Sequence, residues 1–379
     1  MSASAQDQSI IEAVPNFSEG RDQAIIRQIT DAMAFDAEGR LREAMRILHV
    51  DSGIAANRTV ITLAGNPESV TEALFEGIRK ATELIDMRKQ QGVHPRIGAT
   101  DVCPLIPLQH ISMQQTVQLA RKLARRVGED LQIPVFLYEA ARLKEERKRL
   151  ATIRKGEFEG LAEKIQDAAW QPDYGPATPH PTAGAVVIGA RPFLIAFNVH
   201  LDTPDVQIAK TIAKAIRDSR GSAHASTSSP SSVRPTGLPG LRAIGWYVEE
   251  YGLAQVSMNI TDVVGTPLHL AFESVKQKAA EMGVGVKGGE IIGLVPLACL
   301  LEAGAFYARQ SGLSADTHDE ETLLKLAIEQ LGLHQLHPFE PRQKILEYVM
   351  QQYPDVFSLK TIPLPLAMDV APGIYPPEE

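Results

Sequence analysis

His94 sits in Val93-His94-Pro95-Arg96, a loop bounded by Gly92 and Gly98. Pro95 restricts the preceding residue to extended geometry, and the flanking glycines permit sharp turns. A preset imidazole titrating near neutrality is a candidate general acid and base, although such a histidine can also be purely structural. A second group, Asp51, Asn57 and Arg58, brings a carboxylate, an amide and a guanidinium to one turn. Arg58 could fork onto a substrate carboxylate and Asp51 could pair with a cation. Asp and Asn also stabilise turns by themselves, which is the competing explanation. A third stretch, Pro172 to Gly184, is a Pro/Gly-rich loop with few residues able to pack a core. It reads either as the wall of an inter-domain cleft or as an extended linker.

Alternating strands and helices must position these groups. Ile10–Val14 predicts a strand and Arg21 to about Met33 a helix. Met45–Asp51 and Arg58–Leu63 predict a hairpin closed by the turn 52–57. Asn66-Pro67 supplies an N-cap with proline at the first helical position, and Val70, Leu74, Ile78, Ala81 and Ile85 follow at helical spacing. A strand near Thr100–Leu108, a helix over about Gln115–Leu131 and a strand at Ile133–Tyr138 complete the first half. The second half repeats the order: a strand at Phe193–Val199, a helix capped by Thr203-Pro204, a hairpin around Tyr251-Gly252, a helix from Thr266-Pro267, and a strand at Glu290–Val295. Both halves therefore read β-α-β-β-α-β, the split, ferredoxin-like unit. The expected class is α+β: two such subdomains enclosing a cleft or tunnel, with a helical C-terminal extension. The expected boundaries are residues 1–189, 190–312 and 313–379. Residues 220–237 read as a low-complexity insertion and the last residues as a Pro-rich tail.

Several chemistries are disfavoured. A net charge of -8 over 379 residues counts against nucleic acid as the main partner. No long apolar run predicts a membrane span, and the N-terminus lacks a secretory signal pattern. Two cysteines cannot build a disulfide framework, so the expected compartment is the cytoplasm. Gly283-Val-Gly-Val-Lys-Gly288 matches a dinucleotide fingerprint, but it ends a helix and precedes a strand, the reverse of what phosphate binding needs. His334-x-x-His337 lacks the further ligands of a metal site, so no metal is expected. Cys103 and Cys299 lie in apolar settings and read as buried hydrophobes. The basic residues from Arg121 to Lys155 are interspersed with acids and read as a solvated helical face.

Longer motifs narrow the reading. Val14-Pro-Asn-Phe-Ser-Glu-Gly20, Asp51-Ser-Gly with Asn57-Arg-Thr-Val60, and His94-Pro-Arg-Ile-Gly-Ala99 resemble signatures of the glutamate formimidoyltransferases. So do Gly189–Asn198, Gly245-Trp-Tyr247, Ala254–Asn259 and Gly293-Leu-Val-Pro296, collinear from about residue 10 to 310. The resemblance implies transfer of a formimidoyl group from N-formimidoyl-glutamate to N5 of tetrahydrofolate, as in histidine degradation. It also implies a homodimer, tetrahydrofolate (free or polyglutamylated) as co-substrate, and His94 as the catalytic residue. It implies substrate contacts from Asp51, Asn57, Arg58, Tyr138, Asn198 and Asn259. The folate loop would run through Gly175, Pro176, Ala177, Thr178, Pro179, His180, Pro181, Thr182, Ala183 and Gly184. His180 and Ala183 depart from the residues of the vertebrate two-enzyme relatives, and Gly289 replaces a common serine. The length leaves no room for the cyclodeaminase fused to the family in vertebrates, so a later step is expected from another protein.

The residues make chemical sense beside that resemblance. N5 must lose a proton as it attacks the amidine carbon, and the departing glutamate amine must gain one. One imidazole can accept and return that proton. Asp51 could stabilise the amidine cation and Arg58 could orient the donor carboxylate. Two other readings remain at this point: a formyltransferase using N-formyl-glutamate and 5-formyltetrahydrofolate, and a folate-binding protein without turnover. Because both substrates are anions, an acidic chain must gather its cations locally in the cleft.

Overall fold

The computed structural model describes residues 9–218, 237–312 and 319–357. The first half runs β1 (Ile10–Ala13), β2 (Asn16–Phe17), α1 (Gln23–Ala34), β3 (Met45–Gly53), β4 (Arg58–Gly65), α2 (Pro67–Leu84), β5 (Thr100–Gln109), α3 (Met113–Asp130) and β6 (Val135–Glu139). Two short helices, α4 (Leu150–Arg154) and α5 (Leu161–Lys164), precede β7 (Val186–Ala190). The second half runs β8 (Ile195–Leu201), α6 (Val206–Ile216), β9 (Leu241–Val248), β10 (Leu253–Ile260), α7 (Leu268–Glu281) and β11 (Val286–Ile292). Helices α8 (Leu297–Gln310), α9 (Glu320–Gln330), α10 (Pro341–Lys344) and α11 (Leu346–Met350) follow.

The expected β-α-β-β-α-β order holds in both halves. Counting the strands of each unit one to four, both sheets carry the order 4-1-3-2: β5-β1-β4-β3 in the first and β11-β8-β10-β9 in the second. The second sheet is wholly antiparallel. Sequence periodicity missed two pieces of the first sheet. Pro15 lacks an N–H and splits the opening strand, leaving the two-residue β2 between β4 and β5. Strand β7, at the end of a stretch that reads as a linker, inserts in parallel between β5 and β6 and extends the sheet to seven strands.

Local chemistry explains the helix starts. Asn66 caps α2 by accepting from Glu68 N–H with Pro67 at the first helical position, and Ser112 with Gln115 forms a capping box on α3. At α6 the cap is Asp205, not the expected Thr203; its carboxylate accepts from Gln207 N–H. Helices α1, α2 and α3 bury their apolar faces on one side of the first sheet, and α6 and α7 do the same on the second. Helices α8, α9 and α11 join the core of the second half through Leu300, Leu324, Ile328, Leu346 and Met350. The insertion expected at 220–237 lies, Gly237 apart, outside the described residues, as does the Pro-rich tail.

The opposite face of β5, β7 and β6 is covered by residues 145–170, which enclose Phe136, Tyr138 and Val187. The basic run therefore departs from a solvated face. Arg147 is fully buried, paired with Asp173 and stacked over the rings of Phe136 and Trp170. Arg154 reaches Asp101. Both cysteines are buried, as expected, and His334 and His337 lie on an exposed turn.

Candidate active site

The two halves meet along a seam between the uncovered faces of their sheets. At one end, Asp51 on β3 accepts from Gly293 N–H at 3.0 Å. At the other, Glu139, ending β6, accepts from Arg242 on β9 at 2.6 Å. Between them the His94 ring stands edge-on to Trp246 of β9, with ring centres 5.8 Å apart.

His94 is half-buried. Its Nδ1 lies 2.7 Å from the Pro95 carbonyl oxygen. A carbonyl only accepts, so Nδ1 carries the proton and the neutral ring presents a lone pair at Nε2. Burial first, and then the guanidinium charges of Arg58 and Arg154, hold the imidazole well below its ordinary pKa, against the opposing pull of Asp101. His94 is therefore neutral near pH 7, the state a base requires.

Arg58 opens β4 and is buried; its Nη1 contacts Asp101 Oδ2 at 2.5 Å and its Nε donates to Asn16 Oδ1 at 3.0 Å. Arg154 donates to both oxygens of the same carboxylate. Burial lowers the Arg58 pKa to about 10, so it stays cationic. Two guanidiniums share one carboxylate, which leaves a net positive charge beside His94. Asp101, also bound by Ile97 N–H at 2.9 Å, is held ionised despite its burial by Arg154 and Arg58. Asp101 and Arg154 were missed by sequence reasoning and Asn16 entered only as part of the Val14–Gly20 motif, because these three meet Arg58 only in the folded chain.

The other expected residues divide by position. Asn57, at φ 47, uses its side chain to accept from Gly20 N–H and to donate to Gln91 O, tying the β3–β4 turn to the His94 loop. Asp51 Oδ2 is engaged by Lys344 Nζ at 3.0 Å, with His49 Nε2 at 3.6 Å. Burial pushes its carboxyl up, but the His49 contact, Lys344 and Gly293 N–H hold it below the usual carboxylate range. Tyr138 is buried under residues 145–170, and burial pushes its hydroxyl up to about 12. Asn198 lies on the uncovered face of the second sheet and donates to Glu290 Oε2 at 3.4 Å. Asn259 lies on the same face of β10, exposed, opposite Ala196 and Arg242.

The expected folate loop lies beside His94. Gly184 bridges to Gly98, four residues beyond the histidine, and Ala99 N–H donates to Ala183 O at 2.9 Å. Gly98 permits this approach, since a Cβ there would meet Ala185 O at 1.9 Å. Gly175 turns the other end at φ 82. His180 Nδ1 accepts from Ala183 N–H at 3.1 Å, so this ring braces the turn from within. Residues 175, 177, 178 and 181 are exposed along its rim. A depression nearby, lined by Arg96, Glu157 and Glu159, is a poor anion site, because both carboxylates already close on Arg96.

Comparison with known proteins accounts for the two halves. A family model described as the N-terminal subdomain of the formiminotransferase domain matches residues 10–191, and one described as the formiminotransferase domain matches residues 196–351. The chain belongs to the formiminotransferase family. It is 41% identical to the glutamate formimidoyltransferase of Streptococcus pyogenes over 79% of this chain and 93% of that protein. Identity to the glutamate formimidoyltransferase of Thermoplasma acidophilum is 40%, over 85% of this chain and 98% of that protein. It is 42% identical to the formimidoyltransferase-cyclodeaminase of Dictyostelium discoideum over 90% of this chain. The chain spans about 60% of the length of the formimidoyltransferase-cyclodeaminases it matches. As a formiminotransferase-family chain it has mixed α and β structure. Among the described residues no group of three or more His, Cys, Asp or Glu is placed to hold a metal ion, and no helix is long and apolar enough to cross a membrane.

Proposed function

We propose that this protein transfers the formimidoyl group of N-formimidoyl-L-glutamate to N5 of tetrahydrofolate, releasing L-glutamate. The observation that carries the reading is the neutral His94 imidazole at the seam, with Nδ1 bonded to Pro95 O and Nε2 left to accept. N5 attacks the amidine carbon, and His94 Nε2 takes the N5 proton as the tetrahedral intermediate forms. The C–N bond to glutamate then breaks, and the imidazolium returns the proton to the leaving amine. The proton count closes with no other reagent.

The surroundings support the same assignment. The excess guanidinium charge of Arg58 and Arg154 over Asp101 attracts a carboxylate to the seam and keeps His94 unprotonated. Residues 175–184 border the His94 loop and serve as the folate loop. Asn57 and Tyr138 act as supports, and Asn198 and Asn259 line the second wall. In this reading residues 1–189 and 190–312 supply the two walls of a tunnel, and the extension expected over 313–379 braces them through α9 and α11. The protein works as a cytoplasmic homodimer and accepts polyglutamylated folate.

Purified protein supplied with both substrates is expected to form 5-formimidoyltetrahydrofolate and free glutamate in equal amounts. Absence of that product, with N-formyl-glutamate accepted in its place, overturns the donor assignment. Binding of tetrahydrofolate without turnover of either donor overturns the enzyme reading, and light scattering tests the dimer.

A further inference from the structure

The donor group carries a charge that neither His94 nor the Arg58–Asp101–Arg154 cluster can answer. An amidine protonates readily, and Asp51, the carboxylate expected to meet it, is matched by Lys344 and Gly293 N–H. Glu290 on β11 is different. It lies opposite Asn198 on the uncovered face of the second sheet and is partly exposed at the seam. Among the described residues, no lysine or arginine pairs with it. Its neighbours along the chain meet the β3 end of the seam: Gly293 N–H donates to Asp51 at 3.0 Å, and Lys344, which holds Asp51, lies 3.4 Å from Ile291 O.

Four side chains hold it. Asn198 Nδ2 at 3.4 Å, Gln255 Nε2 at 3.3 Å and His200 Nε2 at 3.2 Å all reach the same oxygen, Oε2, and the Tyr251 hydroxyl also bonds to the carboxylate. Gln255 is itself aimed, because Trp246 Nε1–H donates to its Oε1 and turns its amino group toward Glu290. Trp246 is the residue that stands against His94. One network thus runs from the base to this carboxylate. Burial pushes the Glu290 carboxyl up, but the His200 and Asn198 contacts outweigh it and keep the group ionised.

We propose that Glu290 receives the protonated formimidoyl group of the donor and thereby determines the preference for an amidine over a formyl group. The inference rests on the transfer reading above and deepens it. An amidinium presents N–H donors in a plane that matches a carboxylate. A formyl group presents an acceptor oxygen at the same position, and an ionised carboxylate has no proton to offer it. The same carboxylate therefore attracts one donor and repels the other.

Calorimetric titration of the full-length protein, without folate so that no turnover occurs, tests this with N-formimidoyl-L-glutamate and N-formyl-L-glutamate. The wild type is expected to bind the formimidoyl compound roughly 10- to 100-fold more tightly, the range of a hydrogen bond to a charged group. Glu290→Gln is expected to remove most of that preference while leaving formyl-glutamate affinity unchanged or improved. Glu290→Asp is expected to retain it. Equal losses for both ligands in Glu290→Gln, or a wild type that binds both alike or neither, overturns the inference. A wild type that shows the preference yet transfers nothing to tetrahydrofolate leaves the inference standing and overturns the transfer reading.

Discussion

Lys344 Nζ donates to Asp51 Oδ2 across 3.0 Å, joining residues 293 positions apart. The ammonium also lies 3.1 Å from His49 Nε2 and 3.4 Å from Ile291 O, so one side chain from α10 touches both sheets. Its neighbour Ile345 bridges to Val295, seating the extension against the turn after β11. Residues beyond the second sheet thus join His49 in holding the charge of a seam residue.

That pair is about one-quarter exposed on each side, so screening leaves it a measurable strength. A double-mutant cycle of Asp51→Asn and Lys344→Met is expected to give a coupling of roughly 1–2 kcal/mol by urea denaturation. Additivity within error would show that the contact is incidental.

In the proposed reaction His94 carries the proton transfer, so His94→Ala is expected to lose at least about 100-fold in kcat, the usual size of a general-base contribution. The pH profile is the sharper test. Its pKa is shifted downward, so the base form persists as pH falls through 6.5, the ordinary histidine value. The wild-type kcat/KM is expected to stay level from pH 8 through 6.5 and to decline only in more acidic solution. A midpoint at or above 6.5 would contradict a depressed pKa.

Asp101 is the sole carboxylate between two guanidiniums, and its side chain is fully buried. Asp101→Asn removes the charge and leaves Arg58 and Arg154 facing each other. A loss of about 3–5 kcal/mol follows, as for other buried pairs broken from one side. Chemical denaturation measures it, and Arg154→Met, which restores a one-to-one pairing, is expected to cost less.

At Gly98 the contact is steric. A methyl group would lie 1.9 Å from Ala185 O and 2.6 Å from Ala183 O, both backbone atoms. Gly98→Ala is therefore expected to push residues 183–185 away from the His94 loop and raise the KM for folate. Unchanged KM would detach that loop from folate binding.

Glu12 on β1 is 2% exposed, and burial raises its carboxyl to about 7, with Arg191 opposing and Glu347 reinforcing. The folded state therefore holds a proton that the unfolded state has released between pH 4.5 and about 7. Stability from this group is largest at acid pH and falls as pH rises across that window, by on the order of 3 kcal/mol. Glu12→Gln is expected to flatten that part of the stability curve relative to wild type, as read by urea denaturation at several pH values.

Much of the scaffold was legible because its signals are local. The Asn66-Pro67 cap, the period of Val70, Leu74, Ile78 and Ala81, and the alternation of the hairpin strands each act within a few residues. Where competing local signals existed, the reading slipped: Asp205 displaced Thr203 as a cap, and the two-residue strand just beyond Pro15 went unread. Strand β7 was hidden because Val186–Ala190 is short and its partners, β5 and β6, lie far earlier in the chain. Arg147 read as a surface charge for the same reason, since Asp173 and Phe136 reach it only through folding.

The sequence by itself determined the repeated β-α-β-β-α-β order, the placing of His94 in a loop between glycines, and the motifs that mark the family. Those features depend on backbone restriction, hydrophobic period and residue identity, all written over short spans. Only the tertiary structure decided which charges meet. Arg58 pairs with Asp101, Asp51 is matched by Lys344, and Glu290 lies on the seam with no lysine or arginine beside it among the described residues. Ionic interaction depends on separation and burial in space, and linear order carries neither.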